Sequence, residues 1–110
     1  MSAIGQNPGL KAPNNYGGSN ITFGVASNAT IGATTTAAVS ANLDRKYLAV
    51  CNDSDETMYL SFGSAAIMNK GIRLNGYGGT LEWIGPSLFT AALNAICASG
   101  SKVLTYQEGS

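Results

Sequence analysis

Along residues 46–63 two apolar runs, Tyr47 to Asn52 and Met58 to Gly63, flank the short acidic stretch Asp53-Ser-Asp55-Glu56. Each run is rich in β-branched, aromatic and aliphatic residues at a period near two, so each reads as a strand. A polar segment of turn length between two such runs predicts a β-hairpin. Two registers are open. A loop over residues 53–57 sets Leu48 and Val50 opposite Phe62 and Leu60. A loop over residues 53–56 sets Tyr47, Ala49 and Cys51 against Phe62, Leu60 and Met58 instead. A slip of one residue exchanges core and surface. The longer loop is preferred because it opposes branched aliphatics to the largest side chains. Both faces are fairly apolar, so strands covered on both sides stay open.

The same period recurs downstream. Residues 20–26 alternate Ile21, Phe23 and Val25 with smaller residues, and residues 30–41 form a Thr- and Ala-rich stretch of one or two strands. Asn42 to Arg45 makes a turn, and residues 63–66 make a second. Residues 67–74 carry Ile72 and Leu74 into a strand that ends at the glycine turn Gly76 to Gly79. Residues 80–84, 93–98 and 102–108 read as three more strands, broken by Gly85-Pro86 and by Ser99-Gly100-Ser101; residues 88–95 could alternatively make a helical turn. About eight short strands at regular spacing with Gly-rich turns predict a single antiparallel β-sandwich, jelly-roll-like, with no long helix. Residues 1–19 differ: Pro8, Pro13 and Gly17-Gly18 break regular structure, and only Ile4, Leu10 and Tyr16 offer apolar anchors. This stretch buries too little apolar surface to order itself. It reads as an extended N-terminal arm (residues 1–19) ahead of a sandwich domain (residues 20–110), with Ile4, Leu10 and Tyr16 as its expected assembly contacts.

Composition changes the picture in one respect. The 110 residues hold six basic and six acidic side chains, a formal net charge of zero, so only 11% are charged, against about 25% in ordinary soluble domains. A small monomer normally covers its large surface with charge. Ala, Ser, Thr, Asn and Gly stand here instead, as in the polar faces of secreted sandwiches or in a surface covered by other subunits. Zero net charge also removes the repulsion that keeps copies apart, so a homo-oligomer is expected. Clustered Lys and Arg are missing, so no nucleic-acid partner is expected. No apolar run approaches the roughly 20 residues of a membrane span, and the first residues do not read as a secretory signal. The acceptor patterns at Asn20, Asn28 and Asn52 are accordingly read as chance matches.

The chain has no histidine, which removes the commonest general base, the usual triads and most zinc sites. Cys51 has no imidazole to activate it, and both Cys51 and Cys97 sit in strand patterns as small core hydrophobes. Asp53-Ser-Asp55-Glu56 resembles the start of a calcium loop, but Met58 and Ser64 occupy the positions that need glycine and an acid. It reads as a solvated loop tip. No two carboxylates are placed to converge. Trp83 is expected in the core, the alternative being a sugar platform made with Tyr77, Phe89 and Tyr106. No catalytic residue, metal or cofactor is expected, and the chain does not read as an enzyme.

Arg45 through Asn52 followed by Met58 through Gly63 resembles a recurring pattern in small structural proteins of tailed bacteriophages. Lys70 through Leu74, the turn at Gly76–Gly79, Leu81-Glu-Trp83, Asn94-Ala-Ile96 and Val103 through Glu108 continue it. The likeness covers about two-thirds of the chain, leaves residues 1–43 outside, and consists of strand-and-turn signals. It implies a compact β-sandwich virion protein, above all a capsid decoration or cement protein on the outside of the head, made in the host bacterial cytoplasm. Its partners would be the major capsid protein or other virion proteins and further copies of itself, a trimer around a local symmetry axis being one form. Each apolar Å² covered would contribute about 25 cal/mol before ordering costs. Two alternatives stay open: a tail, neck or baseplate component, and a carbohydrate-binding β-sandwich module.

Overall fold

The computed structural model describes residues 21–85 and 90–110, and no helix occurs among them. Among the described residues eight strands follow one another: β1 Ser27–Ile31, β2 Thr36–Val39, β3 Tyr47–Asn52, β4 Met58–Phe62, β5 Ile72–Leu74, β6 Gly79–Ile84, β7 Leu93–Cys97 and β8 Lys102–Gly109. They form two four-stranded antiparallel sheets. The front sheet has the order β1-β8-β3-β6 and the back sheet β2-β7-β4-β5. The first strand pairs with the last, the second with the seventh, the third with the sixth and the fourth with the fifth. A long ribbon folded over on itself in this way is a jelly roll. Residues 86–89, and with them the alternative of a helical turn, lie outside the described residues, and residues 93–97 are strand.

The predicted hairpin is corrected. β3 pairs with β6 and β8 in the front sheet, whereas β4 pairs with β5 and β7 in the back sheet. Residues 53–57 are therefore an arch that crosses from one sheet to the other. The preferred face was nonetheless the buried one: Leu48, Val50 and Leu60 are all core residues. They meet across the sandwich interior, not along a ladder. Pattern and spacing are the same for an arch and a hairpin, because both present one apolar face; what separates them is Asn52. Its side chain is fully buried, and its Nδ2 donates to the carbonyls of Glu56 (2.6 Å) and Leu74 (3.0 Å). The Ser54 hydroxyl donates to Asn52 Oδ1 at 2.6 Å. Unpaired, these buried groups would each cost about 1–3 kcal/mol. Paired, they turn the chain inward at the end of β3.

The core fills the space between the sheets. Ile31, Leu48, Val50 and Leu104 come from the front sheet, and Val39, Met58, Leu60, Leu74, Leu93 and Cys97 from the back sheet. Trp83 packs against this cluster and meets Phe62 edge-to-face at 5.2 Å. A second buried polar residue closes the opposite end. Arg45, 2% exposed, pairs through Nε with Glu108 of β8 at 2.7 Å. Its other nitrogens donate to the carbonyls of Ala91 (2.8 Å) and Ser40 (2.7 Å), which flank back-sheet strands. One guanidinium thus joins both sheets, which its planar fork of donors suits.

Candidate interaction surface

The two faces of the sandwich are finished differently. Over the back sheet, residues 63–71 between β4 and β5 run across the outside. Asn94 Nδ2 donates to Ser64 O at 2.7 Å, and the Ala66 N–H donates to Thr35 Oγ1 at 2.8 Å. Ala66, within this strap, and Ile96 of β7, outside the core cluster, are both buried. Gly71 makes the return possible: it has φ +81°, and a Cβ there would stand 2.6 Å from the Leu60 carbonyl oxygen.

The front sheet has no strap among the described residues. Alternation along β3, β6 and β8 sends Tyr47, Ala49, Cys51, Thr80, Glu82, Ile84, Thr105 and Gln107 outward, while their neighbours Leu48, Val50, Leu81, Trp83, Leu104 and Tyr106 face the core. Among the outward-facing residues of its described strands Glu82 is the single charged side chain. The Tyr47 hydroxyl donates to its Oε2 at 2.6 Å, and this bond holds the Tyr47 phenol above the usual phenol range. In the middle of the sheet, the small residues Ala49, Cys51, Thr80 and Thr105 leave an open depression of about 440 Å³.

At the end where β8 finishes, the face becomes apolar. The chain before β1 runs alongside β8, with mutual Thr22–Ser110 backbone bonds of 2.7 and 3.0 Å, a bond from Gly24 N–H to Glu108 O, and a bridge between Phe23 and Gly109. Of residues 20–26, expected as a strand, Asn20 lies outside the described residues and residues 21–26 form this interrupted extension, so the regular strand begins at Ser27. Gly109 lets it lie close, since a Cβ there would meet Ile21 Cγ2 at 2.4 Å. Phe23 then stands edge-on to Tyr47 at 5.2 Å, and Tyr47 is opposite Ile84 in the ladder. Phe23 is 55% exposed, Ile84 60% and Val25 85%. Leu43, in the turn before Arg45, is exposed at the same end. An exposed apolar cluster is the kind of patch found at contact sites.

The opposite end, where the arch lies, is tied down by polar groups. Lys102 Nζ pairs with Asp55 at 2.8 Å. Glu56 accepts the Ser99 N–H at 3.0 Å and the Ser99 hydroxyl. The bond and charge of Lys102 lower the Asp55 pKa, Ser99 lowers that of Glu56, and Asp55 raises that of Lys102. The acidic stretch is thus a brace between the arch and the β7–β8 turn. Among the described residues no three His, Cys, Asp or Glu side chains come together as metal ligands.

The structure separates the aromatic residues of the sugar-platform alternative. Trp83 and Tyr106 pack against the core, whereas Tyr77, 86% exposed, stands alone at the tip of the β5–β6 turn; Phe89 lies outside the described residues. Cys97 is core, as expected, but Cys51 faces outward and lines the depression; both are free thiols. Ile4, Leu10 and Tyr16, the expected assembly contacts, lie outside the described residues. The apolar end of the front sheet was present in the sequence as the alternation Ile21, Phe23, Val25, but alternation alone assigns such residues to a core. Comparison with family models, with curated proteins and with solved structures found no match.

Proposed function

We propose that this protein is a structural virion component of a tailed bacteriophage, a capsid decoration protein that binds the outside of the head and stabilises the shell through subunit contacts. The observation that carries the reading is the front sheet: a rigid, nearly uncharged face with an exposed apolar end. Covering such a face costs little charge desolvation and removes apolar surface from water. The resemblance of residues 45–108 to small phage structural proteins supports the same reading. So does the jelly roll, an architecture used by viral capsid domains, although fold by itself does not assign function. On this reading the protein works by area and rigidity and carries out no catalysis. Its partners are the major capsid protein and further copies of itself, and its place is the mature particle assembled in the bacterial cytoplasm.

Electron microscopy of intact particles with a gold-labelled antibody against this protein is the test. Label spread over the head is the expected result. Label confined to neck, tail or baseplate would replace decoration by the second structural reading, and particles without label would overturn both. The carbohydrate reading predicts glycan-dependent quenching of Trp83 fluorescence. With the indole packed against Phe62, no response is expected.

A further inference from the structure

We propose that the apolar end of the front sheet, formed by Ile21, Phe23, Tyr47 and Ile84, is the seat for residues 1–20 of a second copy of the chain. This rests on reading the protein as an assembly component, but not on which particle or which part of it is involved. Three observations lead there. The first is where the described chain begins. Residues 21–26 line the rim of the patch and are held there by the Thr22–Ser110 rung and the Phe23–Gly109 bridge. Residues 1–20 are therefore joined to the described chain at the edge of the patch. The second is reach. Residues 1–20 extended would span up to about 66–72 Å, against about 27 Å for the eight residues of β8. A segment of that reach, joined at the patch edge, is long enough to cross to a neighbour's face.

The third observation is complementarity. Residues 1–20 hold apolar residues in isolation, Ile4, Leu10 and Tyr16, separated by Gly, Pro and Asn, with Lys11 as their one charged side chain. The front face has an apolar shelf at Phe23 and Ile84, a depression floored by Ala49, Cys51 and Thr105, and between them Glu82, the one charged side chain among the outward-facing residues of its described strands. An extended segment with widely spaced apolar anchors and one cation matches a shelf, a hollow and one carboxylate. Recognition of this kind repeats around a ring, because each copy both gives a segment and offers a face. The contact is head-to-tail, and its rotation decides whether the ring closes.

Sedimentation velocity over a wide range of concentration tests this with the full chain, a chain lacking residues 1–19, and full-length Phe23→Ala and Ile84→Ser. The full chain is expected to sediment as an oligomer and the other three as monomers. All four should keep the same β circular dichroism, because the altered side chains are exposed. A fluorescent peptide of residues 1–20 should bind the shortened chain, and Phe23→Ala in that chain should weaken binding about tenfold or more. If one substituted chain fails to fold, the other, on a different strand, still decides. A full chain that stays monomeric while the peptide binds would overturn the proposal in favour of docking onto its own face. An oligomer that survives loss of residues 1–19 would overturn it in favour of direct face-to-face contact. Head labelling of phage particles is indifferent to these outcomes, so either result can fail alone.

Discussion

The two ends of the sandwich are built on the same plan inside and on opposite plans outside. Inside, each end is closed by one buried polar residue at a limit of β3: Asn52 at the arch end and Arg45 at the terminus end. Both donate to backbone carbonyls from inside the core. Outside, the arch end is braced by the Lys102–Asp55 pair and by the bonds of Ser99 to Glu56. The terminus end instead leaves Phe23, Val25, Leu43 and Ile84 in solvent. The closure of the fold therefore does not require an apolar exterior at either end. The terminus end is internally satisfied but externally apolar, the surface on which the proposed contact rests, whereas its opposite is finished with polar bonds.

The largest effect expected from disturbing this pair is at Arg45. Arg45→Ala leaves Glu108 without its cation and the carbonyls of Ser40 and Ala91 without their donors. Losing one partner of a buried pair costs about 3–5 kcal/mol, read as a fall in urea midpoint at unchanged slope. Asn52→Ala, at the other end, removes a donor from the Leu74 carbonyl and one of two side-chain donors from the Glu56 carbonyl and should cost about 1–3 kcal/mol. The residues are separated by about 23 Å of strand, so the double substitution should be additive within about 0.5 kcal/mol. A clear coupling energy would mean that the two closures are one network and not two.

Acid separates the ends more gently. The carboxyls of Asp55 and Glu56 have lowered pKa values in the folded chain, so they bind protons less readily folded than unfolded. Their contribution is present above the ordinary carboxylate range and is lost as pH falls through their depressed values. Hydrogen exchange at pH 3 should loosen residues 53–57 and 99–102 before the amides around Arg45. Asp55→Asn with Glu56→Gln should abolish that difference. Both carboxyls are solvent-screened, so the effect is local. The smallest effect on stability is expected at Phe23→Ala and Ile84→Ser, each under about 1 kcal/mol by thermal melting because the side chains are largely exposed. On the proposal above their effect falls on association. A large loss of stability there would mean that the patch serves the fold.

Strand content was legible because alternation is a local property. Residues 80–84, 93–98 and 102–108 were placed within a residue or so of β6, β7 and β8, and the turns at Asn42–Arg45, Gly76–Gly79 and Ser99–Ser101 follow from local chemistry. The buried face of β3 and β4 was legible for the same reason, since Leu48, Val50 and Leu60 point one way in any pairing. Pairing itself was not. A run such as Leu48-Ala-Val50 states that one side is covered, but not whether a neighbour in the ladder or the opposite sheet covers it. The arch at residues 53–57 needed Asn52 and Leu74, distant in sequence, to meet. Arg45 reads as one scattered surface cation until Glu108 and Ala91 are brought around it. Phe23 and Ile84 carry a core-like pattern that only the edge of the front sheet leaves uncovered. Period and turn chemistry act over a few residues and are written locally, whereas burial, ion pairing and exposure depend on what the folded ribbon brings opposite each side chain.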